Sequence, residues 1–152
     1  MPVTLEYSIT AKCTPEQAWK KFGALEQWAW WNRVVGKTQW LEGQPWAQGS
    51  RFLLQLVRPR SVTFRPVVIE SAPPSRIGWR GTSLLVTGKH WFSFEPQPDG
   101  TTLLKTWEEF SGPATMFWGN KTKSDIIEMY ADWLGALKAE AEKIAREELA
   151  RS

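Results

Sequence analysis

One histidine and one glutamate could perform acid–base chemistry in this chain. His90 is its only histidine, and Glu108 follows it within a segment typical of a β-hairpin. The segment Pro98-Asp99-Gly100 favours a type I turn with the glycine in the left-handed position, and a loop of these residues sets His90 opposite Glu108. The carboxylate would raise the pKa of the imidazole, so that the two act as general acid and base. Alternatively, they form a buried polar pair with a structural role.

The same register assigns the other side chains of the hairpin to two faces. Phe92 lies opposite Thr106 on the face that carries the histidine, and Phe94 shares that face because side chains alternate along a strand. A slip of one residue would exchange the faces and put Glu109 in the place of Glu108. The assignment of every inward residue of the hairpin therefore depends on this register.

The opposite face of the hairpin carries a pair of tryptophans. Trp91 meets Trp107 there, which predicts a homodimer contact unless the two faces are reversed. We prefer the first interpretation because the face with Phe92 is more apolar. Basic side chains of the strand region are interpreted as solvated outer-face residues: Arg51, Arg58, Arg60, Arg65, Arg76, Arg80 and Lys89.

A long amphipathic helix must position whatever the sheet presents. From about Thr122 to Leu149, apolar residues recur at helical spacing. Thr122 and Asp125 resemble a capping signal at its start. At 1.5 Å per residue the helix would run about 40 Å, enough to cross a small domain. Its apolar stripe consists of Ile126, Ile127, Tyr130, Trp133, Leu134, Leu137, Ala141 and Ile144.

The first half of the chain indicates a strand and then two short helices. Residues 3–11 alternate between apolar and polar side chains, as in a strand with one buried face. Thr14-Pro-Glu-Gln17 combines an N-cap, a proline in the first turn and a capping-box glutamine. A second short helix is expected over Leu25 to Trp28, followed by an aromatic segment that ends at Trp31.

Between these helices and the long one, about six further strands are joined mostly by short turns. Short turns favour antiparallel pairing, so the fold class is α+β. The expected architecture is a curved antiparallel sheet of about seven strands around the C-terminal helix, in a single domain of residues 1–152.

Composition excludes several classes of function. A net charge of +3, with nineteen basic and sixteen acidic residues, is too small to indicate nucleic-acid binding. One cysteine, Cys13, cannot form an internal disulfide, and with one histidine a catalytic metal site would need mostly carboxylates. We therefore expect no metal and no other cofactor. No secretion signal or membrane-spanning segment is apparent, which predicts a cytoplasmic protein.

Several local motifs resemble the SRPBCC family, the polyketide cyclase/dehydrase and lipid-transport branch of the START/Bet v1-like superfamily. These motifs are Thr14-Pro-Glu-Gln-Ala-Trp19, Trp31-Asn32, Gly88-Lys-His-Trp-Phe-Ser-Phe94 with Gly100-Thr, Glu108-Glu-Phe-Ser-Gly112, and Ala136-Leu-Lys-Ala-Glu-Ala-Glu142. Their order covers nearly the whole chain. The sequence departs from the family at Arg33, where proline is usual, and in its eleven tryptophans.

The resemblance implies a helix-grip fold with a cavity between sheet and long helix. We expect that cavity to bind a small hydrophobic, aromatic or lipid-like ligand, unless aromatic side chains fill it. One alternative is a cyclase or dehydratase that uses His90 and Glu108; another is a protein-interaction module like the co-chaperone branch, with a closed cavity. The predicted ligand contacts are Trp28, Trp31, Phe52, Leu54, Trp79, His90, Phe92, Phe94, Thr106, Glu108, Phe110, Phe117, Ile126, Ile127, Tyr130, Trp133 and Leu134.

Overall fold

The computed structural model describes residues 2–152, and in this range eight strands form one sheet beside three α-helices. The strands are β1 (Val3–Ala11), β2 (Val35–Glu42), β3 (Arg51–Leu56), β4 (Val62–Phe64), β5 (Val67–Ala72), β6 (Arg76–Ser83), β7 (Val86–Pro96) and β8 (Thr102–Ser111). The helices are α1 (Pro15–Phe22), α2 (Trp28–Trp31) and α3 (Asn120–Arg151), with 3-10 turns at Leu25–Gln27 and Pro113–Phe117.

The sheet is antiparallel throughout, as the short turns predict. Its order is β1-β8-β7-β6-β5-β3-β2, and β4 pairs with β3 outside this path. There is one strand more than the sequence indicates, because the run that begins at Val62 divides at Pro66. Proline has no N–H to donate to a strand ladder. The Pro66 carbonyl instead accepts a hydrogen bond of 3.1 Å from the Phe52 N–H, and β5 begins at the next residue.

The β7–β8 hairpin has the predicted register. His90 pairs with Glu108, Phe92 with Thr106 and Trp91 with Trp107. Gly100 has a φ of +87°, which is the left-handed conformation expected of the turn glycine. Turn chemistry and alternation were therefore sufficient to assign the two faces correctly.

Helix starts were predicted with mixed success. The capping box of α1 is confirmed, since the Thr14 Oγ1 accepts from the Gln17 N–H at 3.1 Å and the Gln17 side chain accepts from the Thr14 N–H at 2.8 Å. The predicted start of the long helix is wrong. α3 begins at Asn120 after an extended Gly119, without a side-chain cap, so Thr122 lies inside its first turn.

The core is a packed aromatic cluster beneath α1 and α2. Phe22 is its centre, with ring centroids 4.7 Å from Phe92 and 5.1 Å from Trp28. The indole N–H of Trp28 donates to the Phe22 carbonyl at 2.7 Å, and that of Trp46 donates to the Gly23 carbonyl at 2.8 Å. Because these rings are buried and their indole N–H groups are satisfied, this end of the molecule is filled by its own side chains.

The long helix packs across the inner face of the sheet, as the helix-grip fold requires. Its buried stripe begins at Met129 and ends at Ala141. The C-terminal half of α3 also packs on α1, where the Lys21 Nζ lies 3.4 Å from the Glu140 Oε1. Trp133 of α3 contacts Trp28 of α2, and ahead of Trp133 the start of α3 borders open space between sheet and helix.

Candidate functional site

A pocket of about 520 Å³ lies between the N-terminal half of α3 and the half of the sheet away from the aromatic cluster. Its walls come from β3, β4, β6, β7, β8 and α3, so residues far apart in sequence meet there. The lining is mainly apolar. Trp118, whose ring centroid is 4.8 Å from that of Phe110, closes the side next to the start of α3.

The structure brings some of the predicted contacts together in this wall. They are Leu54, Trp79, His90, Glu108, Phe110, Ile126 and Trp133. Trp133 is buried, and its indole N–H has no hydrogen-bond partner within residues 2–152. A buried donor without a partner costs free energy. The Trp133 indole N–H is therefore an unsatisfied polar group in a wall that is mainly apolar.

The remaining predicted contacts do not line the pocket: Trp28, Trp31, Phe52, Phe92, Phe94, Thr106, Phe117, Ile127, Tyr130 and Leu134. Most of them were assigned to the inner face of the sheet or to the apolar stripe of the helix by periodicity, which does not distinguish a residue that fills the core from one that lines a pocket. Phe92 and Phe94 are fully buried against Phe22 in the aromatic cluster. Phe117 is 87% exposed on a 3-10 turn, because the turn directs its ring to solvent.

The segment from β3 to β4 forms a wall of the pocket that the sequence pattern did not reveal. Leu56, Val62 and Phe64 line the pocket there, together with Arg58 and Arg60. The interpretation of these two arginines as outer-face residues is wrong, because the chain turns at this segment and carries them to the rim of the pocket. The break at Arg58-Pro59-Arg60 was visible in the sequence, but its direction depends on the β3–β4 pairing.

The polar end of the pocket is built around His90, which is buried. Its Nε2 lies 2.7 Å from the Thr106 Oγ1, and the Thr106 hydroxyl donates to the Trp91 carbonyl at 2.9 Å. Since the hydroxyl proton is used there, Thr106 accepts from His90, and the imidazole carries its proton on Nε2. The Nδ1 lone pair of the neutral ring therefore faces Glu108, whose Oε1 is 3.7 Å away.

Glu108 is held by the long helix and not by the histidine. The Tyr130 hydroxyl donates to the Glu108 Oε1 at 2.7 Å. The other oxygen, Oε2, has no hydrogen-bond partner in the described chain, and the glutamate lines the pocket with 14% of its side chain exposed. The Glu108 Oε2 is thus free to form a hydrogen bond within the pocket.

Burial moves the pKa values of this pair in opposite directions. It lowers the pKa of His90 to about 3, and it raises the pKa of Glu108 to about 7 although the Tyr130 hydrogen bond acts to lower it. Burial and the neighbouring carboxylate also raise the pKa of Tyr130. The expectation of a raised histidine pKa is therefore wrong, because desolvation of the imidazolium outweighs a carboxylate that is itself partly protonated at neutral pH. The group that titrates near neutrality is Glu108.

Gly88 makes room for this arrangement. A Cβ at Gly88 would lie 2.7 Å from the Glu108 Oε2, whereas a Cβ at Gly81, which also lines the pocket, would be no closer than 3.6 Å to any neighbour. A side chain at position 88 would displace the free carboxylate oxygen. No such constraint acts at Gly81.

The outer tryptophan pair lies away from the pocket. Trp91 and Trp107 are stacked, with centroids 5.8 Å apart and planes 13° apart. The Trp91 indole N–H donates to the Glu70 Oε1 at 3.0 Å, and the Arg76 guanidinium carbon lies 5.0 Å from the Trp107 ring centroid. Both rings are half-buried within one chain by these polar neighbours.

Two further observations concern residues 2–152. No three His, Cys, Asp or Glu side chains in this range are grouped as metal ligands. None of the helices in the same range combines the length and apolarity needed to cross a bilayer.

Comparison with known proteins agrees with the fold. The family model described as polyketide cyclase / dehydrase and lipid transport matches residues 2–142. A comparison with curated proteins finds no match.

Similar folds occur among solved structures. The aromatase/cyclase ZhuI of a Streptomyces species is 16% identical with a TM-score of 0.76, and the match covers 94% of this chain and 95% of that one. A START superfamily protein of Mycobacterium smegmatis is 18% identical with a TM-score of 0.72, covering 93% and 98%. A hypothetical protein of Helicobacter pylori is 14% identical with a TM-score of 0.78, covering 91% and 88%. At these identities the likeness extends to the fold alone.

Proposed function

The chain belongs to the polyketide cyclase/dehydrase and lipid transport family, and from this premise we propose that it binds a small hydrophobic, aromatic or lipid-like molecule in the pocket under α3. The observation that carries the proposal is the pocket itself, about 520 Å³ of space with a mainly apolar lining. Pockets of about 300 to 1,000 Å³ with apolar walls and a few polar groups are typical of small-molecule sites.

The polar groups of the pocket suggest how such a ligand is oriented. Glu108 presents a free oxygen, and with a pKa of about 7 its carboxyl group is partly protonated at neutral pH. It can therefore donate a hydrogen bond to a ligand carbonyl or accept one from a hydroxyl. The apolar walls would hold the rest of the molecule by burial, which contributes about 25 cal/mol per Å² of apolar surface.

Binding is tested first by native mass spectrometry of the purified protein, followed by denaturing extraction. We expect an additional mass that leaves on denaturation and belongs to an apolar compound. A matched pair of variants then locates it. Ile126→Trp fills the pocket and should lower the affinity for the extracted compound at least about tenfold, as expected for occlusion of a buried site.

Ile144→Trp is the control, because it adds the same side chain at another half-buried position of α3 that does not line the pocket. It should leave the affinity unchanged. Equal effects of the two variants, or a protein that carries no compound and binds no member of a panel of fatty acids, sterols and polyaromatics, would contradict the proposal.

A second candidate is catalysis of the cyclase or dehydratase type. It is favoured by one observation: a carboxyl group with a pKa near 7 and a free oxygen directed into the pocket is suited to proton transfer. In this scheme Glu108 transfers the proton. His90, neutral and bonded through Nε2 to Thr106, positions its Nδ1 beside the carboxyl group.

The two candidates differ in the response to Glu108→Gln, which keeps the shape and the oxygen that accepts from Tyr130. An enzyme should lose turnover about a hundredfold or more while ligand affinity changes only a few fold. A carrier should show no turnover with either protein. The interaction module was expected to have a closed cavity, and the pocket gives that alternative no support.

A further inference from the structure

The segment between β3 and β4 brings two arginines to the rim of the pocket. Arg58 and Arg60 both line it and are both exposed to solvent. Neither makes an ion pair or a side-chain hydrogen bond within the described part of the chain. Two cationic groups without anionic partners at the entrance to a binding site create a positive potential there.

The acidic residues of the pocket do not neutralise this rim. Asp125 lines the pocket, but its Oδ2 is paired with the Lys121 Nζ at 3.0 Å. Glu108 lies at the buried polar end with Tyr130 as its partner. The positive charge of Arg58 and Arg60 is therefore available to a ligand.

The buried end cannot take an anion. A negative group beside Glu108 would meet a carboxyl group and a neutral imidazole, and no lysine or arginine lines that end of the pocket. An unpaired buried charge is strongly unfavourable. A ligand that carries a negative charge therefore has one favourable place for it, which is the rim.

Building on the proposed function, we propose that the ligand is an amphipathic acid: its apolar body occupies the pocket, and its anionic group is held at the rim by Arg58 and Arg60. Guanidinium groups match carboxylates and phosphates, because two N–H donors can bond two oxygens of one anion. The polar end near Glu108 would then contact an uncharged oxygen of the ligand, where one is present.

Matched probes that differ only in the charged group test this inference by isothermal titration calorimetry. One pair is dodecanoate and dodecan-1-ol, and a flat pair is anthracene-9-carboxylate and anthracene-9-methanol. At low salt we expect the acid of at least one pair to bind about tenfold tighter than its alcohol, as for a charge-assisted contact. Raising the ionic strength should reduce that ratio, because the rim is exposed.

The variant Arg58→Gln/Arg60→Gln should bring acid and alcohol to within about twofold of each other, mainly by lowering the affinity for the acid. Arg65→Gln/Arg80→Gln is the control, because it removes the same charge from outer-face positions that do not line this pocket. The control should keep the preference for the acid.

Dodecyl phosphate, added to the first pair, distinguishes a phosphate ligand from a carboxylate ligand. If it binds more tightly than dodecanoate, the two arginines favour a phosphate group, and if it binds more weakly, they favour a carboxylate group. Equal affinities for acid and alcohol in the unmodified protein, or equal losses in both arginine variants, would overturn this inference while leaving the proposed function intact. Failure of every probe to bind contradicts the proposed function itself.

Discussion

Glu108 shows how the chemistry of one residue depends on its surroundings. Its carboxyl group is buried, which raises its pKa to about 7, and the hydrogen bond from Tyr130 opposes this without cancelling it. His90 responds in the opposite way, because burial disfavours its charged form. The same desolvation therefore makes the glutamate the titrating group near neutral pH and leaves the imidazole uncharged.

These shifts predict a distinctive dependence of stability on pH. Glu108 binds its proton more tightly in the folded state, so its contribution is present below about pH 4.5 and is lost as the pH rises to about 7. His90 acts oppositely: the unfolded state binds more protons between about pH 3 and 6.5, so stability rises with pH in that window. From pH 4.5 to 6.5 the two contributions offset each other.

The variant Glu108→Gln has no ionisable group at position 108, so comparison with it isolates the contribution of the Glu108 carboxyl group to the pH dependence of stability. Relative to this variant, the unmodified protein should lose about 3 kcal/mol of unfolding free energy between pH 4.5 and 7.5, because only it must ionise a desolvated carboxyl group. Urea unfolding of both proteins at several pH values measures the difference. A difference that stays constant over this range would show that Glu108 ionises as it does in water.

At the scale of elements, the two ends of the sheet–helix interface have different roles. α3 is 32 residues long, about 48 Å, and its backbone lies closest to β1 and β8. Beneath α1 and α2 the interface is filled by aromatic rings such as Phe22 and Trp28. At the other end neither α1 nor α2 inserts such rings, and the pocket remains. Placement of the short helices thus decides which end of the sheet–helix interface is filled.

The β6–β7 hairpin contributes two glycines to the pocket wall, and they should respond differently to alanine. Gly88→Ala places a methyl group 2.7 Å from the Glu108 Oε2, so that this free oxygen must move from its position in the pocket wall. We expect ligand affinity to fall several fold, since a displaced polar group typically costs about 1 kcal/mol or more.

Gly81→Ala adds the same volume to the same pocket at an ordinary contact distance from Phe64. It should change affinity less than twofold, because an ordinary contact distance requires no neighbour to move. Calorimetric titration of both variants with one ligand makes the comparison. Equal losses would mean that pocket volume, and not the position of Glu108, limits binding.

At the scale of the whole molecule, the outer face of the sheet carries the stacked pair Trp91 and Trp107 on the neighbouring strands β7 and β8. The homodimer through this face stays a prediction. Within one chain the rings already have polar partners, with Glu70 accepting from Trp91 and Arg76 lying over Trp107.

Sedimentation equilibrium tests the homodimer. We expect the mass of two chains at micromolar concentration, and the mass of one chain for Trp107→Glu, because a buried unpaired charge disfavours an interface. Arg146→Glu, at an exposed position of α3 away from the outer face of the sheet, is the charge-changing control and should remain dimeric. A single-chain mass for the unmodified protein would mean that the polar neighbours alone accommodate the two rings.

Local patterns predicted much of the architecture. The capping box of α1, the turn at Gly100 and the alternation on both strands of the hairpin depend on neighbouring residues, so they could be inferred directly. The pairing of His90 with Glu108 followed from the turn by counting. The order of elements also resembled the helix-grip fold, which the sheet and α3 confirm.

The tertiary structure alone decided which inner-face residues fill space and which line it. Phe92 and Trp79 both point inward from adjacent strands, yet only Trp79 borders the pocket, because Phe22 from α1 packs on Phe92. The pKa values were also beyond the sequence. They depend on desolvation by distant elements and on the hydrogen bond from Tyr130 to Glu108, and a pattern of neighbours cannot show how much water such elements exclude.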